Sequence, residues 1–144
     1  MPDRFDLMER VDVLSALRIS SSWCQRVNRS GLTDVDLSRL VAGAVWLDRM
    51  TAEVERMLRH EVAVEFSAFD QPPALAEAAD SLDAVVDRFR EVNDGALTVL
   101  AALRPSEWTK STPYLPGVTT SIEHLARHVA RVSQSASVDQ RWIW

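Results

Sequence analysis

The chain is interrupted at three places, and every stretch between the interruptions repeats apolar residues at three- and four-residue spacing. Asn28-Arg29-Ser30-Gly31 makes the first break and Pro72-Pro73 the second. Pro105, Pro113, Pro116 and Gly117 make the third. Proline withholds a backbone donor and clashes with the preceding helical turn, so helices end at such places. Four segments remain, from about Asp6 to Asn28, Asp34 to His60, Ala74 to Leu103 and Thr120 to Asp139. An amphipathic helix hides its apolar stripe only against another element. Four of them without a sheet predict an all-α fold, a four-helix bundle. The 144 residues suit one domain, 1–144, around one core.

The stripes can be named. Leu7, Val11, Leu14 and Leu17 mark the first segment. Leu37, Leu40, Val41, Ala44, Leu47, Val54 and Leu58 mark the second, with Asp34 or Asp36 as its cap. Leu82, Val85, Phe89, Val92, Ala96, Val99 and Leu103 line the third, which contains Gly95. Ile122, Leu125, Val129, Val132 and Ala136 line the fourth, with Thr119 and Thr120 as caps. Val62-Ala63-Val64-Glu65-Phe66 is the nearest thing to strand alternation, and it reads as a helix end or loop.

Several functions are disfavoured by composition. Net charge is −5, and basic residues stand beside acids, as in Asp48-Arg49 and Glu55-Arg56, so a phosphate-binding basic patch is not expected. No apolar run approaches the ~20 residues of a membrane span. Met1 to Arg10 lacks the basic start and apolar run of a signal peptide, so the expected location is the cytoplasm. The single cysteine, Cys24, excludes an internal disulfide; it reads as a small buried hydrophobe, with a catalytic thiol beside Arg26 as the minor alternative. Asp34/Asp36 and Asp80/Asp83 read as capping or solvated acids. No histidine stands three residues after a glutamate, as a ferritin-like di-iron site requires.

Motifs in order carry a family resemblance. The second segment contains Leu37-Ser38-Arg39-Leu40-Val41-Ala42-Gly43-Ala44-Val45-Trp46-Leu47-Asp48-Arg49. Phe69-Asp70-Gln71 follows it. The third segment ends in Leu103-Arg104-Pro105-Ser106-Glu107-Trp108, and Gly117-Val118-Thr119 leads into the fourth. Over about residues 34 to 140 this resembles the DinB-like (YfiT-like) superfamily. The resemblance implies an up-down-down-up or related bundle, often dimeric. In many members three histidines hold a divalent metal, one from the second helix and two, four apart, from the fourth. Some members are thiol-dependent transferases, isomerases or hydrolases. Three imidazoles leave a coordination position where water or thiolate is deprotonated.

The ligands themselves are missing. The alignment puts Gly43 at the second-helix histidine and Val132 and Ala136 at the other two; none binds metal. The expected result is an apolar pocket at the former metal site, bounded by Gly43, Trp46, Val132, Ala136 and His128, or filled by Trp46. It would suit a small apolar ligand. No cofactor is expected. A displaced Zn or Ni site would use His124 and His128, four apart, with Glu123 or Asp48. At about 100° per residue, His128 lies about 70° and His124 about 110° from a stripe centre close to Leu125. His128 is then a boundary residue and His124 a surface one; His60 reads as a cation near its helix end.

Trp46, Met50 and Met57 widen the apolar arc of the second segment. That arc packs either against the first helix or the 62–72 loop, or forms a subunit interface or a lined pocket. Arg141-Trp142-Ile143-Trp144 is an apolar ending expected to dock on the bundle or a partner. The combined expectation is a non-catalytic or small-ligand-binding homodimer. The alternative is a thiol-dependent transferase or a metal-dependent hydrolase with a displaced histidine site.

Overall fold

A computed structural model describes residues 8–59, 81–115 and 118–137. Helix α1 spans Arg10–Arg26, and a 3-10 turn follows at Arg29–Gly31. Helix α2 spans Asp34–Leu58, α3 Leu82–Ala101, α4 Pro105–Trp108 and α5 Ile122–Ser137. The fold is of the all-α class. Between α4 and α5 runs one small antiparallel hairpin, β1 (Ser111–Leu115) and β2 (Val118–Ser121), with Ser111 opposite Ser121 and Thr112 opposite Thr120.

Local chemistry sets the helix starts. Thr33 caps α2: its hydroxyl accepts from the Asp36 N–H at 3.1 Å, while the Asp36 carboxylate accepts from the Thr33 N–H at 2.8 Å. Asp36 is therefore the reciprocal partner in a capping box rather than the cap. Those hydrogen bonds hold its carboxyl below the ordinary aspartate range. Ser81 caps α3 by accepting from the Ala84 N–H at 3.1 Å. The helix expected from Ala74 thus has a start at Leu82, and residues 74–80 lie outside the described residues. Ser121, not Thr119 or Thr120, caps α5, accepting from the His124 N–H at 3.1 Å. The hairpin explains that correction, since Thr119 and Thr120 belong to β2. The Val62–Phe66 stretch, Phe69, His60 and residues 141–144 also lie outside the described residues.

Side-chain bonds fix the helix directions. Along α1 and α3, Arg10 donates to the Ala101 carbonyl, Asn93 to the Leu17 carbonyl, and Arg29 pairs with Asp83 and Asp87, so these helices run antiparallel. Arg127 donates to the Met8 carbonyl, and Ser20 lies on Ser137, so α1 and α5 are parallel. Gly43 of α2 meets Phe89 of α3 and Ala136 of α5. Farther on, Glu55 and Val99 line one shallow groove, so α2 and α3 are parallel. Helix α2 packs on α3 and α5, and α1 packs on the same two from the opposite corner. The order of directions is up, down, down, up.

This arrangement explains the wide arc of α2. With α3 and α5 on its two sides, rather than the first helix, α2 buries Leu40, Ala44, Leu47, Met50, Val54 and Met57. Met50 and Met57 lie within the bundle core, and Trp46 is half-buried against it. Helix α5 is turned from its expected stripe: Leu125, Ala126, Val129, Ala130, Ser133 and Ser137 are buried, while Val132 and Ala136 are half-buried.

The turn brings polar groups inside. Fully buried Asn93 donates from Nδ2 to the Leu17 carbonyl at 2.9 Å and accepts at Oδ1 from the Ser133 hydroxyl at 2.6 Å. Ser137 gives its one proton to the Ser133 carbonyl at 2.7 Å, so the Ser20 hydroxyl, 2.9 Å away, supplies the proton of that second bond. One amide thereby joins α1, α3 and α5. Asn93→Ala removes two buried hydrogen bonds and opens a small void. It should cost about 2–3 kcal/mol in denaturant unfolding. A loss below about 0.5 kcal/mol, inside the usual scatter of surface substitutions, would show that the network does not hold the three helices.

Candidate functional site

Where α2 crosses α5, the backbones approach too closely for any side chain at position 43. A Cβ built on Gly43 would lie 2.7 Å from Ala136 Cβ and 3.2 Å from Phe89 Cε2. The Ala136 methyl is fixed to its backbone and cannot swing aside, so accommodation requires the helices to part. The expected apolar hole over Gly43 is therefore corrected: Ala136 and Phe89 fill it, and Phe89 has no exposed surface. The filling side chain is Phe89 from α3 rather than Trp46.

The other expected pocket residues do not all converge there. Gly43 and Ala136 meet. Val132 is half-buried one turn before Ala136. His128 lies eight residues from Ala136, about 12 Å along the helix, and is exposed rather than at the core boundary. The rotation of α5 accounts for this: with Ala126, Ala130 and Ser133 facing inward, the histidine side turns to solvent.

His124 and His128 are both exposed, with ring centroids 4.7 Å apart and planes at 73°. The carboxylates suggested to join them are placed elsewhere or engaged. Glu123 is ion-paired with Arg127, and Asp48 borders the α2–α3 groove. Among the described residues, no group of three or more His, Cys, Asp or Glu side chains could hold a metal.

A cavity of about 630 Å³ lies at the end of the bundle where α1 finishes, α2 begins and α5 finishes. Trp23, Val27 and Leu32 supply apolar wall, Asn28 and Arg39 polar wall, and Ala136 forms its inner side. The α5 methyl that seals the interior at Gly43 therefore also borders an open space. The size fits the roughly 300–1,000 Å³ range of small-molecule sites. The cavity went unread because its walls come from three separated stretches of chain. Trp23 was the available signal, an aromatic at a helix end beside the Asn28–Gly31 break.

Cys24 adjoins this end of α1 and is buried. Burial pushes its thiol up from the ordinary 9.0 to about 11, against the attraction of Arg90. A buried thiol with a raised pKa does not suit the catalytic alternative.

No protein family, characterised protein or solved structure matches the chain. Among the described residues, no helix is long and apolar enough to cross a membrane.

Two measurements check this geometry. Gly43→Ala gains about 1 kcal/mol of helix propensity but overpacks the crossing by about 1–3 kcal/mol, so it should destabilise modestly or leave stability unchanged. Adding Ala136→Gly should restore part of any loss. Strict additivity of the two changes in unfolding free energy would refute the close contact. For Cys24, both folded and unfolded chains hold the thiol proton below pH 9. Between about 9 and 11 the unfolded chain loses it first, so this residue's contribution to stability falls as pH rises through that window. Iodoacetamide at pH 8 should label the native protein far more slowly than the guanidinium-unfolded chain; equal rates would contradict the burial.

Proposed function

We propose that this protein is a DinB-like bundle that has lost the family's metal site and works as a non-catalytic, small-ligand-binding protein, in the cytoplasm and as a homodimer. The observation that carries the reading is the relation between Ala136 and its two sides. On one side its methyl, with Phe89, closes the interior over Gly43. On the other it borders the 630 Å³ cavity among α1, α2 and α5. Space for a ligand has moved from the middle of the bundle to its end. For the dimer, the outer face of α2 offers Val35, 60% exposed, and Ala42 in a shallow depression that Asp34, Ser38 and Arg39 also line.

The second reading is an enzyme, a thiol-dependent transferase or metal-dependent hydrolase. The facing His124 and His128 rings favour it, since imidazoles one turn apart on a helix suit Zn or Ni. A stoichiometric transition metal in the purified protein, measured by elemental analysis, would move the assignment to this alternative.

The ligand-binding reading is tested with the neutral fluorophore N-phenyl-1-naphthylamine. The full chain should bind it saturably at one site. Ser135→Trp, which places a bulky group on the cavity wall, should weaken binding at least tenfold without lowering the melting temperature. Absence of saturable binding, or binding indifferent to Ser135→Trp, would sink the reading.

A further inference from the structure

The wall of the end cavity carries polar side chains with donors to spare. Arg39, on α2, forms no ion pair with any described residue, and its guanidinium carries five donors. Asn28 uses its side-chain oxygen to accept from Ser30 at 2.8 Å, which leaves its NH2 facing no acceptor among the described residues. The indole N–H of half-buried Trp23 likewise has no acceptor among them. The acid in the wall, Asp36, accepts at one carboxylate oxygen from the Thr33 N–H and attracts Arg39, three residues on along α2. Ser135 can both give and take. Among the described residues Arg39 is the one cation in the wall, and its guanidinium is permanently charged.

The apolar part of the wall has a shape preference of its own. Trp23 offers an aromatic edge and face at the end of α1, and Val27, Leu32 and Ala136 add aliphatic surface. An aromatic ring on an indole gains from offset-stacked or edge-to-face contact beyond the area it buries. A ligand matched to both parts carries a flat apolar ring at one end and an anionic acceptor at the other. Arg39 recognises a carboxylate with paired, parallel N–H donors, a geometry that a lysine in its place could not reproduce.

We infer that the end cavity binds a small planar aromatic carboxylate, with its ring against Trp23 and its carboxylate on Arg39. This rests on the ligand-binding reading above and specifies the chemistry of that site. Asp36 acts against the anion, so the selectivity comes from Arg39 rather than from a general positive field. Added salt weakens the binding, because Arg39 is exposed.

The test uses titration calorimetry on the full chain with 1-naphthoate and its uncharged counterpart 1-naphthalenemethanol. Naphthoate should bind at one site at least tenfold more tightly than the alcohol. Arg39→Gln should erase that difference by weakening naphthoate about tenfold while leaving the alcohol and the melting temperature unchanged. Trp23→Leu should weaken both ligands. Equal affinity for the two compounds, or a naphthoate affinity unaffected by Arg39→Gln, would overturn the carboxylate assignment while the cavity remains a ligand site. Failure of both compounds to bind at millimolar concentration would overturn the inference and the ligand-binding reading together.

Discussion

The closeness of α2 and α5 at Gly43 is the constraint on which the rest of the molecule depends. With no side chain at position 43, the Ala136 methyl takes the place a Cβ would need, and Phe89 closes the third side from α3. Three helices are thus fixed at one level. Dispersion contacts there are near their best distance, which a void or a wider spacing would forfeit. A glycine inside a helix costs about 1 kcal/mol of propensity relative to alanine. Here that cost is offset by the proximity it permits. The same proximity removes the space in which side chains on facing helices could surround an ion or a substrate.

Close packing alone does not choose a register, because apolar surfaces slide at little cost. Asn93 supplies the missing specificity. It lies one turn past Phe89, and its amide bonds to α1 at Leu17 and to α5 at Ser133. Ser20 and Ser137 extend the connection by one further turn. A shifted α5 would leave these groups buried and unsatisfied, at a cost of about 1–3 kcal/mol for each. At the surface, Arg29 spans Asp83 and Asp87 at 2.8 Å each and ties the turn after α1 to the first turns of α3. Its exposed partners make this a guide to docking rather than a main source of stability.

Much of the helical frame was legible from period and breaks. The cores of all four long helices fall inside the segments that the apolar spacing marks out. The failures have specific physical origins. Helix α5 buries Ile122, Leu125 and Val129 of its expected stripe, but it adds Ala126, Ala130, Ser133 and Ser137 in place of Val132 and Ala136, because small residues allow the close crossing with α2 and a hydroxyl meets Asn93. Reading burial from hydrophobicity misplaces such a helix by tens of degrees, and that error carried His128 to the edge of the core. Asn93 stood inside an otherwise apolar stripe, and a polar residue in that position was the clue to an internal network. The hairpin escaped because its strands are too short to alternate visibly and owe their pairing to the tight link between α4 and α5. Gly43 and Ala136 were singled out through a family alignment, whereas their contact follows from helix geometry that no local pattern encodes. The end cavity was illegible for a related reason: Trp23, Arg39 and Ala136 belong to three different helices.

The position of that cavity follows from the crossing. Helices that touch at one level must diverge along their lengths if they cross at an angle, as ridge-and-groove packing requires. The contact at Gly43 lies about two and a half turns into α2 and at the last described turn of α5, and the gap opens beside it. Trp23, at the end of α1, and Leu32, after the 3-10 turn, cover the gap only in part. Phe89 belongs to the closed side and Arg39 to the open one. Ala136 separates them, a single methyl between an interior without room for a side chain and a pocket of about 630 Å³. A larger residue at 136 would force the helices apart on one side or intrude on the cavity from the other. The packing that closes the centre of the bundle and the opening that offers a binding site are therefore two consequences of the same small side chain.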